Sequence, residues 1–443
     1  MRPLEKMTFE AMIKKLRVRF NGLQREEAEG NYEYDLSDIL MSGEALFFFQ
    51  DPSLLAFQER MQKKFERTNL ESIFGVKRVP KESQMRERLD QVKWTGVRLL
   101  LPQIFEQVRR RGWLIEWRNE IRTGREKGFY YVVAIDGSDY FSSEKVSCEN
   151  CLRRENRAGE INYRHTVVAG TLVKADKREI LPMAVEMCER QDGSQKQDCE
   201  VAAGKRLIRR MRAEHPHLAM VVTGDDLYSR VPFVEECQQQ RLHYVLVAKE
   251  ESQQELFAWV TELEETPASQ RVSWEVGERC RRKYYEGRIV REVPLRGDGK
   301  VFVTYVEVWE RNLAGEQTSH NGFVTDLEVT TENVKEIIGI GRAKWKIENE
   351  QFNIQKNHGY HLEHNYGHGE KNLSAVFYCL NLIAYLLHLI IERGDRVYQK
   401  ARATVGSRKR FWEEMRTLMR RCVWASWQDF MEFVGNEEAY DSG

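Results

Sequence analysis

The pattern of hydrophobic and polar positions divides the chain into a helical start, a strand-rich middle and a helical end. Across residues 7–20, Phe9, Met12, Ile13 and Leu16 fall on one side of a helix, and Lys14, Lys15 and Arg17 on the other. Apolar runs at 40–49 and 54–65 extend this into a small bundle, which Pro80 and the polar residues after it interrupt. Residues 1–95 therefore read as a separate helical N-terminal domain. After another helical stretch at 94–117, the period changes at Gly128. Residues 129–135 (FYYVVAI) are continuously apolar, β-branched and aromatic, as in a buried strand that ends at Asp136-Gly137. Strands at 163–173 and 180–187 follow, then a helix at 200–212. A strand at 218–223 ends in Gly224-Asp225-Asp226 and is followed by a helix at 231–240 and a strand at 244–248. Strands that come first in sequence and then alternate with helices predict a mixed α/β sheet, with 96–250 as the first part of its core.

Over 251–325 the texture becomes β-rich. Antiparallel strands are predicted at 271–276, 284–294 and 300–309, joined by polar turns such as Arg296-Gly297-Asp298-Gly299. This segment reads as an insertion into the α/β domain. One more strand at 322–326 leads into the second part of the core, residues 326–395. That part holds a helix beginning near Gly341 and a long apolar helix from Leu373 to Ile391. Residues 396–443 form a helical tail rich in charge and in tryptophan (Trp412, Trp424, Trp427).

Composition narrows the class. The 443 residues suffice for two or three domains, and 41% hydrophobic with 31% charged residues is ordinary for a soluble protein. With 69 basic and 69 acidic side chains, a uniformly basic coat is excluded while local basic patches remain. Such patches are Lys14 to Arg19, Arg109 to Arg111, Arg281 to Lys283 and Arg408 to Arg410. Eight cysteines spread along the chain do not make a disulfide framework, and no secretory signal opens it. The most apolar segment, 376–391, carries Asn381 and His388 and is short for a bilayer, so it reads as a buried helix. A cytoplasmic protein without a membrane partner is expected.

Three acids carry the candidate chemistry. Asp136 and Asp225 each end a strand, where side chains in α/β sheets are exposed yet rigidly placed. On the helix after Gly341, Trp345, Glu348, Phe352 and Gln355 recur at steps of three, four and three and so share a face. A carboxylate on such a stripe needs a basic partner or a metal ion. Three oxygen ligands from separate elements suit Mg²⁺ or Mn²⁺. Either aspartate alone would read simply as a turn residue. Asp226, beside Asp225, is expected to point to the opposite face, and Glu350 competes with Glu348. At about 100° per helical residue, Lys356 lies roughly 80° from Glu348 and roughly 120° from Glu350, which favours Glu348. Cys148 and Cys151, in C-E-N-C, form at most half a zinc site. His165, Cys188 and Cys199 show no paired spacing, so the cysteines are expected to be reduced and unligated. His358, His361, His364 and His368 are expected to cap, pack or contact phosphate, with metal binding open.

The stretches IDGSDYFSS, QDGSQKQDCE, VVTGDDLYS and KWKIENEQFNIQKNHGY, spread over most of 129–390, resemble the DDE transposases of bacterial insertion sequences. The nearest group is the IS-four-like one, with an RNase H-like core; MSGEALFFFQDPSLLAFQ and SIFGVKRVP resemble it more loosely. The resemblance implies that Asp136, Asp225 and Glu348 bind the metal. It implies hydrolysis at transposon ends followed by attack of the freed 3′-hydroxyl on target DNA, with double-stranded DNA as partner and a homodimer on paired ends. It also gives residues 1–95 a possible role in recognising DNA ends, beside a purely structural one. Departures from the group's tyrosine-arginine-glutamate-lysine signature are Gly341 for tyrosine, Lys344 for arginine, and Lys356 one place late. Arg342, Lys344, Trp345 and Lys356 are the candidate DNA contacts. A nuclease without strand transfer and an inactive DNA-binding relative are the alternatives.

Overall fold

The computed structural model describes residues 7–26, 33–123, 126–156, 158–193, 196–278, 282–297 and 299–436. Arg281, Asp298 and the Ser194-Gln195 part of the second motif lie outside them. The chain forms two compact units. One comprises Met1–Trp113, Asp139–Thr166 and Phe352–Gly443, the other Leu114–Ser138 and Val167–Gln351.

The first unit is mostly helical, and its core joins the two ends of the chain. Leu36–Phe48, buried along its whole length, packs on the helix Leu373–Gly394. That second helix has 22 residues, longer than the apolar run alone suggested. By length and composition it is long and apolar enough to cross a membrane, yet 89% of its most apolar stretch is buried within the protein. A helix apolar on all sides needs partners on all sides. The tail supplies some of these to the unit's core: Phe9 stacks on Trp427 at 4.0 Å, and Phe48 meets Trp412 edge-on at 5.2 Å. The N-terminal segment and the C-terminal tail, read separately from the sequence, thus share one core.

Inside this core Glu44 is fully buried, and neither carboxyl oxygen has a hydrogen-bond partner among the described residues. Burial pushes its carboxyl well above the usual range, so the folded protein keeps a proton that the unfolded chain gives up near pH 4. The unfolded state then binds fewer protons, and stability falls as pH rises, by at most about 1.4 kcal/mol per pH unit for one group. Glu44→Met is expected to lose that contribution. Its melting temperature should decline less between pH 5 and 8 than that of the parent; an identical decline would refute the assignment.

The second unit is built on a mixed sheet flanked by helices. Its strands are β1 (Arg118–Thr123), β2 (Glu126–Ser143, in the first unit from Asp139 on), β4 (Ile161–Lys174, in the first unit up to Thr166), β5 (Lys177–Met187), β6 (Met220–Gly224), β7 (His243–Val247), β8 (Ser269–Val276), β9 (Lys283–Pro294), β10 (Phe302–Arg311) and β11 (Gln317–Thr325); β3 (Leu152–Glu155) belongs to the first unit. The order is β5-β4-β2-β6-β7-β11-β10-β9-β8, with β1 paired to β2. β6 runs parallel to β2 and β7, whereas β11 is antiparallel to β7. Two expectations change here. β2 does not end at Asp136-Gly137 but continues to Ser143, because the buried run gives way to alternating burial that still suits a strand. Phe323 of β11 pairs with Val247 on one side and Val306 on the other, so the β-rich segment 251–325 continues the same sheet. That segment is not all β. Gln254–Glu262 is a helix packed on β9 through the buried Leu256 and Val260, four residues apart.

The pleat assigns the faces. On β4, Gly170 lies against Leu207 and Met211 of the helix Lys196–Glu214, whereas the next residue, Thr171, donates a hydrogen bond to Gln351. Adjacent strand residues point oppositely, so that helix covers one face and the segment around Gln351 the other.

Candidate active site

β2 and β6 are neighbouring parallel strands with Val133 opposite Val222 and Ala134 opposite Thr223. Two residues beyond the last pair come Asp136, still within β2, and Asp225, just past the end of β6. The helix Val334–Arg342 packs on β6 and β7, and Thr223 Oγ1 donates to Gly341 O at 3.5 Å. Gly341 is required here: a Cβ would fall 2.4 Å from the ring of Phe323, which is fully buried. That explains why no tyrosine occupies this position. The chain turns at Ala343–Lys344 and re-enters a helix whose segment Ile347–Phe352 is π-helical. Glu348 lies in the first turn of that segment. Single π-helical turns widen a helix and recur at functional sites.

Charge ties the three acids together. Burial, then the carboxylate of Glu348, then that of Asp225 push Asp136 up to about 7, against the ammonium of Lys344 and the Gly137 N–H, which donates to Asp136 Oδ1 at 2.9 Å. Lys344 is only 8% exposed and sits 3.4 Å from Glu348 Oε1. It is the built-in counter-charge of the cluster. Its ammonium also lies 5.5 Å from the ring centroid of Trp345, an attractive cation–π placement.

The competing acids are engaged elsewhere. Asp226 pairs with Lys249 at 3.4 Å, and Glu350 with Arg178 at 3.2 Å. Asp225 Oδ1 accepts from the Leu227 N–H at 3.0 Å, fixing its side chain at the turn. The reasons given from sequence for Glu348 need correction, however. Phe352 and Gln355 are buried, but Trp345 and Glu348 are exposed, so the four do not form a buried stripe. The cause is the π-helical segment, across which a 100° step does not hold. For the same reason the angles to Lys356 carry no weight. Lys356 belongs to the first unit and pairs with Glu363 at 2.8 Å. Of the other proposed DNA contacts, Arg342 is held by Asn321 and Glu310 at 3.2 Å each and by Ser319 at 3.3 Å. Trp345 presents 36% of its surface to solvent.

One acid gained no role from sequence. Glu200, last residue of QDGSQKQDCE, lies beneath Gly137, where a Cβ would come within 2.6 Å of its carboxyl group. A side chain at Gly137 would displace that carboxyl group. Burial, then the charges of Glu200 and Asp136, push the Tyr228 hydroxyl up, and it has no hydrogen-bond partner among the described residues. Position within the motif was the only signal for Glu200.

The donor set is all oxygen, anionic and mutually repelling, which suits a hard divalent cation such as Mg²⁺ or Mn²⁺ and not a thiophilic one. No family model matches the chain, and no curated protein matches it in sequence.

Proposed function

We propose that the chain is a DNA transposase of the DDE type with an RNase H-like core, using Asp136, Asp225 and Glu348 to hold Mg²⁺ or Mn²⁺. The observation that carries this reading is that the charges of Glu348 and Asp225 both act on Asp136, with Asp136 on β2 and Asp225 just past its parallel neighbour β6. The RNase H-like assignment is supported by a sheet in which the central β2 is flanked by the β4–β5 hairpin on one side and by parallel β6 and β7 on the other. A bound divalent cation supplies activation of a water or hydroxyl and stabilisation of the leaving oxygen. The protein's own part is placement. Lys344, beside Glu348, would supply a positive charge for a backbone phosphate near the scissile bond. Trp345 offers an exposed ring for a sugar or base to stack on. In the first reaction water bonds to phosphorus and the 3′ oxygen departs as a hydroxyl; in the second that hydroxyl attacks a target phosphodiester and displaces its 3′ oxygen. Double-stranded DNA is the partner, and a homodimer on paired ends follows from the same resemblance.

The test uses duplexes spanning the sequences that flank the coding region, with Mg²⁺ and a supercoiled target. Cleavage at the ends and covalent joining to the target are expected. Glu348→Gln should abolish both, whereas Glu350→Gln should retain cleavage within about threefold, because its charge is spent on Arg178. Cleavage without joined product would indicate a nuclease of the same fold. If Glu350→Gln were the dead variant, the assignment of the third acid would be wrong.

A further inference from the structure

The first unit contains a second cluster of metal-ligating groups, with no part in the acid site. Cys148 and Cys151 lie in the turn before β3, and β3 pairs with β4 so that Leu152 faces Arg164. One step back in this register, Cys151 stands opposite His165. The fourth member, His368, arrives from the segment before the helix Leu373–Gly394. The four donor atoms all lie within 4.8 Å of one another, and Cys151, His165 and His368 are buried.

We infer that Cys148, Cys151, His165 and His368 form a structural zinc site. The distances have the values a tetrahedral ion imposes. Bonds of about 2.3 Å to sulfur and about 2.05 Å to nitrogen require about 3.8 Å between sulfurs, about 3.5 Å from sulfur to nitrogen and about 3.3 Å between nitrogens. The observed values are 3.8 Å for Cys148 Sγ to Cys151 Sγ and 3.5 Å from each sulfur to His165 Nε2. Cys151 Sγ to His368 Nε2 is 3.2 Å, and the two Nε2 atoms are 3.1 Å apart. Two imidazole nitrogens meeting each other and two sulfurs this closely have too few protons to share among themselves; a cation between them resolves the crowding.

The surroundings are those of a ligand shell. His368 Nδ1 lies 2.8 Å from the Gly369 carbonyl, which fixes the proton on Nδ1 and leaves the Nε2 lone pair facing the cluster. The Cys148 N–H donates to Cys151 Sγ at 3.4 Å, as a thiolate would require. The ring of Phe141 covers His368 at 4.4 Å between centroids. The His368 segment is itself braced: Asp90 accepts the backbone N–H groups of residues 370 to 373 at 2.9 to 3.0 Å, and Asn150 Nδ2 donates to Lys371 O at 2.8 Å. Four protein ligands complete a tetrahedron and leave no open position, so the ion holds the β3–β4 hairpin to this segment and performs no catalysis. A two-sulfur, two-nitrogen set favours zinc over magnesium or calcium.

The experiment uses the full chain, purified with its thiols reduced. One equivalent of zinc per chain is expected, retained by Asp136→Asn and Glu348→Gln and lost from Cys151→Ser. Should Cys151→Ser fail to fold, cobalt exchanged into the parent protein reports the ligands directly: a tetrahedral visible spectrum with thiolate charge-transfer bands is expected, and His368→Cys should strengthen those bands. Removal of the metal by a chelator should lower the melting temperature. A metal-free chain with both thiols titratable, a disulfide between Cys148 and Cys151, or an octahedral cobalt spectrum would each overturn the inference.

Discussion

Under the proposed function, Asp136→Asn is expected to abolish cation-dependent cleavage of end DNA and, in the absence of divalent cations, to raise the melting temperature. Removing one of three carboxylates around a divalent ion is expected to slow cleavage at least about a thousandfold, equivalent to about 4 kcal/mol of transition-state stabilisation. Duplex binding should stay within about threefold, since a single acid makes no attractive contact with phosphate. The stability effect has the opposite sign because the site is built under repulsion. The folded carboxyl ionises near pH 7 and the unfolded one near pH 4, so this group's contribution to stability falls as pH rises through that interval and is flat above it. Asparagine does not titrate, and at pH 8 the variant should gain up to about 4 kcal/mol over the cation-free parent. Saturating Mg²⁺ should narrow or reverse the gap, because only the parent gains binding energy. Cleavage activity, binding and melting curves with and without Mg²⁺ separate the outcomes. Normal cleavage would dismiss the catalytic role, and destabilisation under both conditions would make Asp136 a structural residue.

Arg60→Met is the substitution expected to cost the most stability. Its guanidinium, nearly inaccessible to solvent, bonds Asp51 through Nε at 2.9 Å and Nη2 at 2.6 Å, and Glu66 through Nη1 at 2.6 Å. The rings of Phe49 and Phe57 lie 5.3 and 5.6 Å away. Removing the cation strands two carboxylates in an apolar environment, at a cost of about 3–5 kcal/mol. For a unit of this size that lowers the melting temperature by about 10 °C. Arg60→Lys should recover little of it, because a compact ammonium lacks the planar fork that reaches both carboxylates at once. Replacing all three residues by apolar ones (Arg60→Met, Asp51→Leu and Glu66→Met together) should be far milder than the single change. A single variant that melts with the parent would show that the network contributes nothing measurable.

Sequence alone was enough to find the strands that carry Asp136 and Asp225. Continuous apolar runs mark buried strands without help from tertiary contacts, and an acid after such a run stands out. The mixed sheet was also legible, because the order of strands and helices restricts the possible connections. The helix Gln254–Glu262 escaped notice since only Leu256 and Val260 face inward, too few to impose a period on polar surroundings. The π-helical segment at Glu348 was invisible for a related reason: its backbone is set by packing and leaves no repeat in the residues.

Local pattern determined which segments became strands and helices, because burial and side-chain period are properties of neighbouring residues. Tertiary structure decided which distant residues meet. It brought His165 and His368 to Cys148 and Cys151, joined β11 to β7, and assigned Lys344 rather than Arg342 to the acid cluster. Such pairings depend on strand register and on the turns between elements, and residues separated by hundreds of positions carry no mark of one another until the chain has folded.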